Sequence, residues 1–241
     1  MQVLSGGNTA KLGLLPDGSV LKYPFDRNDL FLRKALDIEH SILLELGPHE
    51  RIVKYLGKEE HGLRFALAAN SDVRHYMSAQ QPGTISLQMK QKWVEQAVEG
   101  LAFVHSKDVI HCDIHPNNFL LDEHLDLRLC DFSGSLFGEL DGAAMESTRY
   151  FLPRDLDALP NVRSDLFALG SAMYYILTGY DPYNTLSDDK VVALYSQGIF
   201  PDVDGIAYGH AISGCWKGLF SSAQDVGLVL DQEKALAEVG L

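Results

Sequence analysis

His111-Cys112-Asp113-Ile114-His115-Pro116-Asn117-Asn118 runs into the apolar triplet Phe119-Leu120-Leu121, and after a short acidic turn comes Leu129-Cys130-Asp131-Phe132-Ser133-Gly134. The order and spacing of these residue types decide how the rest of the chain is read. Asp113 sits on a loop where a carboxylate can accept or orient a hydroxyl proton. Asn118 follows on the same loop and Asp131 opens a second turn, and both carry hard oxygen donors able to hold Mg²⁺ against phosphates. The set implies phosphoryl transfer from ATP, which asks a protein for positioning and charge neutralisation more than for covalent chemistry. H-x-D or D-x-x-x-x-N alone fits an ordinary turn, because Asp and Asn are turn formers. Their conjunction with two apolar strands and D-F-x-G is far more specific.

Composition bounds the answer. The 241 residues are 46% hydrophobic and 22% charged, which suits one compact unit or two small lobes around a cleft. Twenty Lys+Arg against 33 Asp+Glu give a formal charge of −13, which argues against nucleic acid as a general partner. Cys112, Cys130 and Cys215 fit neither a disulfide framework nor a zinc site, and point to a reducing compartment. Cys112 and Cys130 flank the candidate site but read as small buried fillers. No N-terminal apolar run has the form of a signal peptide, and no stretch of about 18 apolar residues could span a bilayer. The expectation is a soluble, intracellular, cytoplasmic protein.

Periodicity then organises the chain. Val3-Leu4-Ser5-Gly6-Gly7-Asn8 opens as a strand and glycine turn. Leu12 to Leu15 and Ser19 to Tyr23 form a hairpin around Pro16-Asp17-Gly18. Leu30, Leu32, Leu36, Ile38, Ile42, Leu43 and Leu46 recur near helical spacing until Gly47-Pro48. Strands are expected at 52–56 and 63–68. Helices are expected at 73–77, 87–106, 165–177 and 188–196, with shorter ones to the end. A strand-rich first third and a helical remainder predict an α+β, bilobal layout, with lobes at 1–69 and 70–241 hinged near Asn70-Ser71.

The 111–134 stretch resembles the catalytic loop and metal-binding turn of the eukaryotic protein kinases, and the resemblance extends over roughly residues 3–225. It implies a kinase-like fold with a small β-rich N-lobe and a larger helical C-lobe. It also implies ATP and Mg²⁺ as cofactors, and a protein or peptide substrate with a serine or threonine hydroxyl. Asp113 is then the catalytic base, and Asn118 and Asp131 are the metal ligands. Val20-Leu21-Lys22 resembles the strand whose Lys holds the nucleotide phosphates. Glu39, in E-x-x-I-L, resembles the helix acid that pins that Lys. Leu4-Ser5-Gly6-Gly7-Asn8-Thr9-Ala10-Lys11-Leu12 aligns with the glycine-rich phosphate loop as S-x-G-x-x-A-x-L, so Leu4, Ser5, Gly7, Ala10 and Leu12 are candidate nucleotide contacts. Phe65 resembles the gatekeeper, Ala66, Leu67 and Ala68 the adenine-contacting hinge, and Leu120 a further contact below it. Ser147-Thr148-Arg149-Tyr150-Phe151-Leu152-Pro153-Arg154 resembles the end of an activation segment, with Ser147 placed to bond the catalytic Asp. Asp165, in Ser164-Asp165-Leu166-Phe167-Ala168-Leu169-Gly170, matches the residue that tethers the catalytic-loop backbone. Leu177-Thr178-Gly179 and Asp181-Pro182-Tyr183 complete the pattern.

The departures carry information too. Cys112 replaces the Arg of H-R-D (a non-RD arrangement), which implies little dependence on phosphorylation of the segment. His115 replaces a Lys that touches the γ-phosphate, and Ser133 replaces the Gly of D-F-G. Arg154 replaces the Glu of A-P-E while Phe220 stands near its lost Arg partner, so no unpaired buried charge is expected. The tail Ile212-Ser213-Gly214-Cys215-Trp216 with Ser221-Ser222-Ala223 is similar to small kinase-like domains of filamentous fungi. Two alternatives stay open. A pseudokinase, acting as a binding or scaffold module, would explain the eroded glycine loop and His115. A small-molecule kinase on the same fold would need no peptide platform at Ser147 and Tyr150.

Overall fold

The computed structural model describes residues 2–6, 10–141, 146–155 and 157–238. β1 (Gln2–Gly6), β2 (Ala10–Leu14) and β3 (Val20–Pro24) run antiparallel, with β2 and β3 joined by the Asp17-Gly18 turn. Gly18 takes φ 84°, the left-handed value that makes glycine the economical residue there. β4 (Tyr55–Glu59) and β5 (Gly62–Phe65) complete a five-stranded sheet in the order β1-β2-β3-β5-β4.

One helix, α1 (Leu30–Leu46), lies on this sheet. Asp29 caps its first turn by accepting from the Phe31 and Leu32 amides, and Gly47 ends it at φ 64°. Its buried stripe is Ala35, Leu36, Ile38, Glu39, Ile42, Leu43 and Leu46, so the expected apolar periodicity also buries one acid. Leu30, counted in that stripe from sequence, is 72% exposed.

The fourth strand falls three residues later than expected. Ile52 and Val53 are buried, but they join the other lobe: Val53 N–H donates to Leu129 C=O at 2.9 Å, and Leu129 N–H donates to Arg51 C=O at 2.8 Å. The expected 63–68 strand stops at Phe65. Beyond it the chain forms a connector whose Asn70 N–H donates to Leu121 C=O at 3.0 Å.

The second lobe is helical. α2 (Val73–Ala79) and α3 (Leu87–His105) lead into the short strand β6 (Val109–Ile110). The hairpin of β7 (Phe119–Leu121) and β8 (Leu127–Leu129) follows. β9 (Leu136–Phe137) bridges β6 and β10 (Leu140–Asp141) in a three-stranded patch that sequence periodicity does not reveal, because two-residue strands have no period. α4 (Val162–Thr178) is buried along most of its length, with α5 (Asp188–Ser196), α6 (Gly209–Lys217) and α7 (Ala223–Glu238) around it and α3. α7 has 16 residues, longer than the short terminal helices expected, and buries Ala223, Val226 and Leu230. The result is a bilobal α+β fold, β-rich in the first lobe and helical in the second, as the resemblance implies. No helix among the described residues is long and apolar enough to cross a membrane.

Candidate active site

Lys22 projects from the centre of the N-lobe sheet. Its register partners are Leu12 on β2 and Leu63 on β5, and a Cβ at Gly62 would collide with the Lys22 carbonyl. The bare glycine therefore lets β5 close on Lys22, which is 7% exposed. The ammonium donates to Glu39 Oε2 at 2.6 Å and to Asp131 Oδ1 at 2.7 Å. Burial opposes its charge, but the two carboxylates outweigh that and hold its pKa above the ordinary lysine value. Burial pushes Glu39 upward, an effect that Lys22 counters.

The loop from His111 to Asn118 forms the opposite wall. Asp165, at the start of α4 and 1% exposed, accepts the His111 amide at 2.8 Å and the Cys112 amide at 2.9 Å. His105 Nε2 adds a third contact to the same carboxylate at 2.9 Å. These bonds hold Cys112 at φ 67°, a conformation that a side-chain-bearing residue adopts only when its surroundings impose it. Asn118 Nδ2 donates to both the carbonyl (2.8 Å) and Oδ2 (2.9 Å) of Asp113, while its side-chain Oδ1 takes no hydrogen bond among the described residues. Burial and the Asp131 charge push Asp113 up to about 6, against the Asn118 bond.

Asp131 lies at φ 64°. Its Oδ1 accepts from Lys22 and, at 2.7 Å, from the Ser133 hydroxyl, while Oδ2 takes no hydrogen bond among the described residues. Burial would raise its pKa, but Lys22 and Ser133 hold it well below the usual carboxylate range. Phe132 is fully buried edge-on to His111, with its amide directed at Glu39 Oε1 (3.3 Å). Ser133 thus commits one carboxylate oxygen and leaves the other open.

Lys22, Glu39, Asp113, Asn118 and Asp131 therefore converge at the lobe junction. Phe65 ends β5, is 6% exposed and pairs in register with Val20, and Ala66 N–H donates to Lys54 C=O at 2.9 Å. Leu67 is 46% exposed, and Ala68 follows it in the connector. Leu120 forms an antiparallel bridge to Asp72, just past the connector. Ala10 is buried opposite Pro24, Leu4 is half-exposed on β1, and Ser5 pairs in register with Leu12. Gly7 lies outside the described residues. Val20, two residues before Lys22, is buried and shares the same strand face.

One expectation is corrected: Ser147 is exposed, and no bond from its hydroxyl to Asp113 is present among the described residues. Arg154 leaves no unpaired buried charge, as expected, but it does so with a new partner. It donates to Glu146 Oε2 at 2.9 Å and lies over the Phe151 ring, while Phe220 packs at Gly214. A guanidinium this buried needs a carboxylate, and the nearest came from its own segment. His115 is turned into its loop, its Nδ1 accepting from the Asn117 amide at 3.2 Å, and burial beside the Arg74 cation pushes it down to about 4. It is neutral near pH 7.

The protein kinase domain family profile matches residues 25–203, beginning just after Lys22. The chain belongs to the protein kinase domain family, the class that works with ATP and a divalent cation. It is 24% identical to human receptor-interacting serine/threonine-protein kinase 1 over 194 residues, covering 70% of this chain and 29% of that protein. It is 26% identical to serine/threonine-protein kinase ksg1 of Schizosaccharomyces pombe over 200 residues, covering 72% and 33%. It is also 25% identical to a putative mitogen-activated protein kinase kinase kinase 7-like protein of Drosophila melanogaster over 173 residues, covering 68% and 44%. The chain thus spans less than half the length of these relatives.

Proposed function

We propose that this chain transfers the γ-phosphate of Mg·ATP to a serine or threonine hydroxyl of a protein or peptide. The observation that carries the reading is the buried Lys22 ammonium fixed between Glu39 and Asp131, across from the linked pair Asp113 and Asn118. A cation pinned by two acids delivers charge to a phosphate at a fixed point. Asp113 acts as the base that orients the acceptor hydroxyl and takes its proton. The open Asn118 oxygen and Asp131 Oδ2 are hard donors that suit Mg²⁺, and two protein ligands are the usual share for this ion. When bound, the ion neutralises phosphate charge. Leu4, Ser5, Gly7, Ala10 and Leu12 cover the phosphates, and Phe65, Ala66, Ala68 and Leu120 surround the base.

Two measurements test this. Mg·ATP at a hundredfold excess over Kd stabilises the native state by about 2.7 kcal/mol, which for a chain this size raises Tm by roughly 5–10 °C. No shift with millimolar nucleotide and either Mg²⁺ or Mn²⁺ removes nucleotide binding from the reading. Incubation with γ-labelled ATP and generic protein substrates then tests transfer itself. Because Asp113 must be ionised to accept a proton and is held near 6 in the free protein, kcat/KM is expected to fall tenfold per pH unit below about 6 and to level off above it. A kcat/KM flat from pH 5 to 8 contradicts Asp113 as the base.

A further inference from the structure

Arg74, on α2, has no part in the nucleotide site, yet it makes more side-chain contacts than a helix-surface residue needs. Its Nε donates to Asn117 Oδ1 at 3.0 Å, inside the 111–118 loop. Its two terminal nitrogens form a fork on Asp181, at 2.9 and 2.7 Å. One of them also reaches the Tyr150 hydroxyl at 3.1 Å, and that hydroxyl donates to Asp181 Oδ1 at 2.6 Å. The guanidinium lies over the Tyr175 ring, 4.2 Å from its centroid. Four separate parts of the chain thus meet on one planar cation.

The location gives the cluster its meaning. Tyr150 is 3% exposed and its ring lies tilted against His115, with centroids 5.2 Å apart, two residues beyond Asp113. Arg74, His115, Ser147, Arg149, Tyr150 and Asp181 line a cavity of about 410 Å³. One of its walls belongs to the loop of Asp113 and the other to the segment that follows it. A second arginine anchors that segment from the far side, with Arg149 donating to Asp188 Oδ1 at 2.6 Å and to Leu186 C=O at 2.6 Å. The side chain beside Asp113 is Cys112, 1% exposed, so no cation there could receive a phosphate from the segment. The cations that order this segment are already satisfied by carboxylates of the same chain.

We propose that Arg74 is a positioning residue for the acceptor. Clamped by Asp181, it fixes Asn117 and Tyr150 in one register, and so sets affinity for the hydroxyl-bearing substrate without any phosphate on the segment. This rests on the kinase reading above. Losing the clamp lets the two walls of the cavity drift, so the acceptor must order them on binding, which weakens its affinity and leaves the nucleotide site intact. Lysine cannot replace it, because a point charge does not span Asn117, Asp181 and Tyr150 together.

The test is steady-state kinetics of Arg74→Ala, Arg74→Lys and Asp181→Asn with a serine peptide, alongside amide hydrogen exchange. Each variant is expected to raise the acceptor KM at least tenfold, with the ATP KM within twofold and kcat within threefold of the parent. Asp181→Asn added to Arg74→Ala should change little further, since the clamp is already gone. The Tyr150 and Asn118 amides, which donate to Ser147 and His115 carbonyls, should exchange at least tenfold faster in Arg74→Ala, with β2 and β3 unchanged. An unchanged acceptor KM, an equal rise in both KM values, or a loss confined to kcat overturns the proposal. If the parent transfers no phosphate, the kinase reading fails on its own, and unaltered exchange at Tyr150 and Asn118 in Arg74→Ala then overturns the clamp as well.

Discussion

Asp113→Asn is expected to lower phosphotransfer by about 10²–10⁴-fold, the usual contribution of a positioned general base, while nucleotide binding survives. The substitution keeps the shape and removes the charge. Asn118 Nδ2 can still donate to the residue-113 carbonyl and to the amide oxygen of the new side chain, so the loop retains the bonds it has now. What disappears is a carboxylate able to take a proton. Removing a negative charge near Asp131 also relieves the repulsion that pushes Asp113 upward, so no loss of fold is expected. Asp131→Ala differs in kind, because it strips Lys22 of one of its two anions and removes a proposed metal donor. The paired measurement is nucleotide-induced Tm shift and initial rate on both variants. Equal loss of nucleotide affinity in the two would mean that the roles of Asp113 and Asp131 are misassigned.

Much of this site is legible in the amino-acid order alone, for a physical reason. Phosphoryl transfer needs an acid, an amide and a cation at fixed spacing, and loops that carry such groups leave a short, dense pattern in sequence. The 111–118 loop, the Asp131 turn, Lys22 and Glu39 are of this kind, and all converge. The α1 stripe and the β2–β3 hairpin are legible because their periods are 3.6 and 2. Two kinds of feature are not. Ile52-Val53 reads as a strand of the N-lobe because apolar β-branched residues announce burial without naming the partner, and the partner is Leu129. Arg74 and Asp181 stand over 100 residues apart, each ordinary alone, and meet only because α2 and the end of α4 adjoin the same loop. Arg154 makes a related point. Counting a missing partner predicts an absent pair, whereas a buried cation recruits whichever carboxylate the local backbone supplies, here Glu146.

The largest effect on stability is expected at Asp165. This carboxylate is 1% exposed and accepts from the His111 and Cys112 amides and from His105. Asp165→Ala leaves two buried amides without acceptors, each worth about 1–3 kcal/mol when unsatisfied. It also frees Cys112 from a positive-φ conformation that costs on the order of 1–3 kcal/mol to maintain. The loop would escape that strain by turning over, so part of the penalty is recovered at the expense of geometry. A net loss of about 2–4 kcal/mol follows, or roughly 4–16 °C in Tm for a chain of this size. Turnover should fall with it, since Asp113 is the next residue and its amide donates to His111 Nδ1 at 3.2 Å. Asp165→Asn separates the two contributions. It keeps one acceptor oxygen for an amide and turns the other position into a donor facing an N–H, so it should sit between parent and Ala in Tm. Thermal unfolding of both variants, with and without nucleotide, decides the matter. An Asp165→Ala protein as stable as the parent would mean that the 111–118 loop holds its strained turn by other means, and that Asp165 only adds a negative charge to the first turn of α4.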